Sequence, residues 1–200
     1  MKARLLVCIV TTMFLFVMTT VANASTIVDL YGDEDGLGLG LTNGQSFNYA
    51  AVTFESDDEG ITDRWVSGSQ AWTQIYDLTG LGAITSASME IATGGQGWNG
   101  LTQILIDGQL IGTLTDGDDV GSGYNYYFVD TFDLMPFSAY LDGASTLTTI
   151  HASAGDGWAL DYSKLTISDD GTAPVPEPAT MLLLGSGLLG FAGFRKKSKK

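Results

Sequence analysis

Two acidic runs stand out as places where this chain could do chemistry: Asp33-Glu34-Asp35-Gly36 and Asp116-Gly117-Asp118-Asp119. Carboxylates gathered on glycine-containing loops suit a calcium ion, which takes six to eight oxygen ligands in flexible geometry. Neither run matches an EF-hand loop. Gly36 comes too early in the first, and Val120 occupies a ligand position in the second. The same residues also suit solvated turns, in which aspartates cap the local backbone. A third cluster, Asp57-Asp58-Glu59, reads as an exposed loop.

The second candidate chemistry is aromatic. Trp65, Trp72, Trp98 and Trp158, with Tyr124, Tyr126 and Tyr127, are a large supply of rings on which sugar C–H faces could stack. Trp98 is the best placed, because GGQGWNG is a polar, glycine-rich loop with Gln96 and Asn99 available to fix hydroxyls. Trp72, Trp158 and the alternating tyrosines fall in strand-like runs, where rings ordinarily fill a core. Catalysis has the least support. The chain has no G-x-S-x-G elbow, no H-E-x-x-H and no phosphate-cradling loop. His151 stands without an identifiable acid and nucleophile. A glycosidase would need two carboxylates, for which Glu55, Glu59 and Glu90 are the first suspects. In SASMEIAT, however, Glu90 alternates with Ala87, Met89 and Ile91 and so is expected to face water.

These residues need a scaffold, and the composition specifies one. Residues 25–173 carry 22 acidic and two basic groups, a charge of −20, with Arg64 and Lys164 the two basic residues. Such a body cannot neutralise phosphates, which excludes nucleic acid as a partner. Cations, neutral glycans and basic surfaces remain. The single cysteine, Cys8, precedes this body, so disulfides and thiol catalysis are excluded from it. Short runs rich in Val, Ile, Thr, Tyr, Phe and Trp alternate with Gly, Asn and Asp, and no helical periodicity appears. Strands are expected near 26–31, 47–54, 70–77, 84–93, 101–106, 109–114, 124–134, 146–152 and 157–168. Asp107-Gly108 should close a type I′ hairpin. The fold class is all-β: an antiparallel, jelly-roll-like β-sandwich over residues 25–170.

The ends read as addresses. Residues 1–24 have a basic start, an apolar stretch and a small-residue close, as a secretory signal peptide does. Ala22 and Ala24 would mark the cut and Ser25 the mature start, which implies the Sec export machinery and signal peptidase as partners. Residues 171–178 form a proline-rich linker. Ala179 to Phe194 is then 16 residues without a charge, a hydrophobic helix of about 24 Å. A basic tail, 195–200, places the C-terminus in the cytoplasm and the body outside. Pro176, Glu177 and Pro178, followed by this apolar segment and by Arg195, Lys196 and Lys197, resemble the PEP-CTERM sorting signal. That resemblance implies handling by an exosortase and removal of the tail. It further implies export across the inner membrane, a transient anchor through the C-terminal helix, and residence on the cell surface or in the extracellular matrix of a biofilm.

The last run, GWALDYSKLTIS, places Trp158, Leu160 and Tyr162 on one face before the apolar phase shifts, which suggests a bulge near Ser163. With ILIDGQLIGTL it resembles jelly-roll sandwiches of the lectin and carbohydrate-binding-module type. In such sandwiches a structural calcium ties the first strand region to the last, and the resemblance would make Asp33, Asp35 and Asp161 its ligands. The favoured function is an exported, non-enzymatic matrix component contacting exopolysaccharide, with calcium as its one candidate cofactor. The alternatives are a secreted glycan-active enzyme and a purely structural acidic coat protein.

Overall fold

Alternation along a single long strand, Ile84–Gly94, lays out the plan of the body. Ala87, Met89 and Ile91 are buried on one face, while Ser86 is exposed and Ser88 and Glu90 half-buried on the other, as a period of two residues requires. This computed structural model describes residues 24–52, 59–98, 100–118, 124–141 and 144–171. Its strands are β1 (Thr26–Gly32), β2 (Ser46–Phe47), β3 (Trp65–Ser67), β4 (Gln70–Ile75), β5 (Ile84–Gly94), β6 (Gln103–Ile106), β7 (Gln109–Thr113), β8 (Asn125–Asp133), β9 (Ser145–His151) and β10 (Gly157–Asp169).

They form two antiparallel sheets, as the sequence leads one to expect. One sheet runs β1-β10-β5-β8-β2, with β3 also on β10, and the other runs β4-β9-β6-β7. Between them lies a core that includes Trp72, Met89, Ile91, Ile104, Ile106, Ile150, Trp158, Leu160, Leu165 and Ile167. Each fully buried side chain of this size contributes roughly 1.5–3 kcal/mol. A smaller cluster of Leu37, Phe47, Ala92, Tyr127, Ala159 and Tyr162 uses the alternate positions of β5 and β10.

Three local features depart from the expectations. The strand expected over 47–54 stops at Phe47, because the Asn48 side chain accepts the Ala50 N–H and opens a turn over Tyr49–Ala51. The three-residue strand β3 was not expected at all. The bulge in β10 falls at Asp161, between Leu160 and Tyr162, instead of near Ser163. As a result Tyr162 does not share a face with Trp158 and Leu160. It joins the smaller cluster, and Ser163, Leu165 and Ile167 return to the main core side. The hairpin holds as expected, with Asp107 and Gly108 at φ values of 47 and 78.

The expected signal peptide, proline-rich linker, hydrophobic helix and basic tail lie outside the described residues, apart from Ala24, Ser25 and Gly171. Among the described residues no helix is long and apolar enough to cross a membrane.

Candidate cation and glycan sites

The bulge in β10 is where the carboxylates meet. On one side of β10, β1 pairs down to Gly32 opposite Tyr162, and β3 resumes with Trp65 opposite Ala159. Asp161 sits at the gap between them. The chain leaving β1 delivers Asp33 and Asp35 to that gap, and the chain approaching β3 delivers Asp63. One oxygen from each of Asp33, Asp35, Asp63 and Asp161 lies within 4.8 Å of the others. Asp63 and Asp161 are 1% and 0% exposed. The structure thus brings together the three aspartates that sequence resemblance singled out and adds a fourth. Spacing gives no signal for Asp63, which arrives through long-range contact with β10: its N–H donates to the Leu160 carbonyl at 2.8 Å, and β3 pairs with β10 just beyond it.

The backbone is shaped around this cluster. Gly32 has φ of 86, and a Cβ there would run into the Asp161 carbonyl. Asp63 and Leu37 are non-glycine residues at φ 51 and 61, conformations that cost energy and need local support. Support for Leu37 comes from its N–H, which donates to Asp161 Oδ1 at 3.1 Å. Asp35 caps the same turn by accepting the Gly38 N–H at 2.7 Å. The Tyr127 hydroxyl donates to Asp161 Oδ2 at 2.5 Å.

Burial pushes the Asp161 carboxyl up to about 7. Hydrogen bonds from Tyr127 and Leu37 oppose that shift, and the charges of Asp35 and Asp33 add to it. Burial, together with the Asp161 hydrogen bond, also drives the Tyr127 phenol well above its ordinary range, so it stays a donor. Any two of these groups that are both ionised repel by roughly 3 kcal/mol at an effective dielectric of 20. An all-oxygen, all-anionic donor set of this kind fits a hard divalent cation such as calcium. The second acidic run behaves as a turn: Asp116 Oδ1 accepts the Asp118 N–H at 3.1 Å, while Asp119 lies outside the described residues.

The glycine-rich loop after β5 is held from beneath. Asp156, 0% exposed, accepts the N–H groups of Gly97 and Trp98 at 3.0 and 3.3 Å and the Thr102 hydroxyl at 3.5 Å. Trp98 nevertheless leaves 54% of its surface in water. Gln96 departs from its expected role at the surface. It is fully buried, and its amide donates to the Thr115 carbonyl at 2.5 Å. A glycine-rich polar loop looks solvated in sequence, yet here Gln96 is drawn inward to brace it. Asn99 lies outside the described residues. Trp72 and Trp158 fill the core, as does Tyr127 the smaller cluster.

A second exposed aromatic surface joins Trp65, one of the rings the sequence offers, to Tyr49, which the sequence does not single out. The Trp65 ring lies against Gly95 and Gly157, where no Cβ would fit, and packs beside the exposed Tyr49 with centroids 5.4 Å apart. Gly95 is three residues from Trp98, and Gly157 follows the Asp156 that anchors it.

The catalytic suspects are placed differently. Glu55 lies outside the described residues. Lys164 bridges Glu34 and Glu90 at 2.7 and 2.8 Å, and Tyr162 donates to Glu90 at 2.8 Å. Partial burial pushes the Glu90 carboxyl up, but the Lys164 and Tyr162 hydrogen bonds outweigh it and hold the group below its ordinary range. A carboxylate held ionised in this way is a poor general acid.

Residues 174–197 match the PEP-CTERM protein-sorting motif. The chain carries that sorting signal. No curated protein matches the chain. Among solved structures, the body is similar to a family 35 carbohydrate-binding module from an environmental isolate, with 15% identity over 68% of this chain and 90% of the other and a TM-score of 0.36. It is also similar to the family 35 module of Cellvibrio japonicus Abf62, with 11% identity over 73% and 99% and a TM-score of 0.34. A third is the β-porphyranase BpGH86A of glycoside hydrolase family 86 from the human gut bacterium Bacteroides plebeius, with 13% identity over 55% of this chain and a TM-score of 0.36. The chain spans 20% of that enzyme's length.

Proposed function

We propose that this is an exported β-sandwich that contacts extracellular polysaccharide without transforming it. In this reading calcium at Asp33, Asp35, Asp63 and Asp161 locks the loops around β10. The sorting motif at 174–197 supports export and surface or matrix residence, through the Sec machinery, signal peptidase and exosortase. The observation that carries the glycan reading is the loop of Trp98. An indole more than half exposed, on a backbone held by a buried carboxylate, presents an apolar face at a fixed position on which a sugar ring can stack. Rigid aromatic surfaces bind with little further loss of conformational freedom.

Binding in place of catalysis is supported by the Lys164 bridge, which ties up Glu90, one of the catalytic suspects, together with Glu34. The test is equilibrium binding of the purified chain to polysaccharide secreted by its host, with calcium and with EDTA. Saturable binding that weakens in EDTA, with no release of reducing ends, is expected. Steady release of new reducing ends would instead establish the glycan-active enzyme. An absence of binding in both conditions would leave the acidic coat protein.

A further inference from the structure

The first strand is tied down at its very start. Asp169, 3% exposed, closes β10, and three backbone N–H groups donate to its carboxylate. Gly82 reaches Oδ2 at 2.7 Å, while Ser25 and Gly171 reach Oδ1 at 2.6 and 3.0 Å. These bonds, that from Gly82 foremost, outweigh burial and hold the carboxyl below its ordinary range, so it is ionised at neutral pH. The place of Ser25 is fixed independently. Its carbonyl accepts the Asp169 N–H at 3.1 Å, and the neighbouring pair, Thr26 and Ser168, brings its two hydroxyl oxygens within 2.9 Å. Ala24 is exposed, and the pairing of β1 with β10 does not reach it.

We propose that Asp169 is the receptor for the chain's own α-ammonium group, created when the leader is cut after Ala24, and that the body reaches full stability only once this ion pair forms. The proposal rests on cleavage at that bond and is independent of the glycan and cation sites. In the uncut chain the Ser25 nitrogen is an amide, which offers Asp169 one hydrogen and no charge. Hydrolysis breaks the Ala24–Ser25 bond. The water oxygen stays on the Ala24 carboxylate, which departs with the leader, and both water hydrogens end on the Ser25 nitrogen. The resulting ammonium is largely protonated at neutral pH, and it stands where the amide already points at Oδ1. A hydrogen bond ionised on both sides is stronger than one from a neutral amide. A body of −20 has few cations to spare, and Lys164 is committed to Glu34 and Glu90. Because Asp169 also holds Gly171, where the chain leaves for the sorting motif, one carboxylate fastens both ends of the mature body.

The test uses the full chain, exported by its host with its own leader. N-terminal sequencing of the exported protein is expected to begin at Ser25, and a different start overturns the proposal. One alanine inserted between Ala24 and Ser25 moves the ammonium a residue away while leaving an amide at Ser25. It is expected to lower Tm by roughly 2–4 °C in calorimetry. Asp169→Asn, similar in shape but uncharged, is expected to lower Tm at least as far, and the insertion should then have no further effect. An insertion that leaves Tm unchanged, or that lowers it equally with and without Asp169→Asn, overturns the proposal, the latter because it marks a disturbed strand instead of a lost ion pair. Mild periodate, which oxidises an N-terminal serine to an aldehyde and removes its amine, repeats the test without a mutation. The wild type is expected to lose the same few degrees, whereas the insertion chain, which starts with alanine, should not respond. An unchanged Tm in periodate-treated wild type overturns the proposal even if Asp169→Asn fails to fold.

Discussion

Asp161 is an acid whose ordinary pKa of 3.8 is raised to about 7 by burial in a cluster of like charges. Between those values the metal-free folded chain keeps a proton that the unfolded chain has lost. Its contribution to stability is therefore complete at low pH and disappears as pH rises through about 7. The Tm of EDTA-treated protein is expected to fall as pH is raised from 5 to 8, by scanning calorimetry. With millimolar calcium the fall should vanish or reverse, because ion and proton compete for the same oxygens. At the other site, Trp98→Ala is expected to weaken polysaccharide binding about tenfold or more, equivalent to about 1.4 kcal/mol. The Tm should not change, since the ring is largely outside the core. A large fall in Tm would make Trp98 a packing residue.

At the scale of elements, what binds is set by how strands end. Gly32→Ala combines an unfavourable φ with a collision against the Asp161 backbone. It is expected to cost about 2 kcal/mol or more in denaturant unfolding and to reduce the stabilisation that calcium provides. Asp156→Ala would unhook the Gly97 and Trp98 amides. Glycan binding is then expected to fall although Asp156 itself touches no sugar, a result that titration of both variants in parallel would show.

The sequence conveys much of this plan, but unevenly. The Asp107-Gly108 turn and the alternation of Ala87, Met89 and Ile91 are local signals and were readable. Asp33 and Asp35 stand out as an acidic run. Strand β3 is too short for alternation to register, and Asp63 joins the cluster because it and β3 both bond to β10 from far along the chain. Gln96 misleads because side-chain direction in a glycine-rich loop is set by tertiary partners, here the Thr115 carbonyl. The shift of the bulge from Ser163 to Asp161 is equally non-local. It occurs where β10 changes neighbours from β1 to β3.

Across the whole molecule the dominant fact is a body of −20 that must hold together and still meet partners. Self-repulsion of this size destabilises a compact state, and salt screens it over a Debye length of about 10 Å at 0.1 M. Without metal, Tm is expected to rise with sodium chloride, and with calcium the rise should be smaller. The first and last strands pair from Thr26 to Gly32 along β10, so both ends of the body emerge at the same end of the larger sheet.

The measurement that tests the account most directly is calorimetric titration of calcium into the metal-stripped full chain, alongside Asp63→Asn. Asp63 was not suggested by sequence and touches the cluster only through the fold. One saturable site in the wild type, weakened tenfold or more by Asp63→Asn and accompanied by a rise in Tm, is the expected result. Absence of saturable binding, or identical binding by Asp63→Asn, would contradict the metal centre and the ordering of the loops around it.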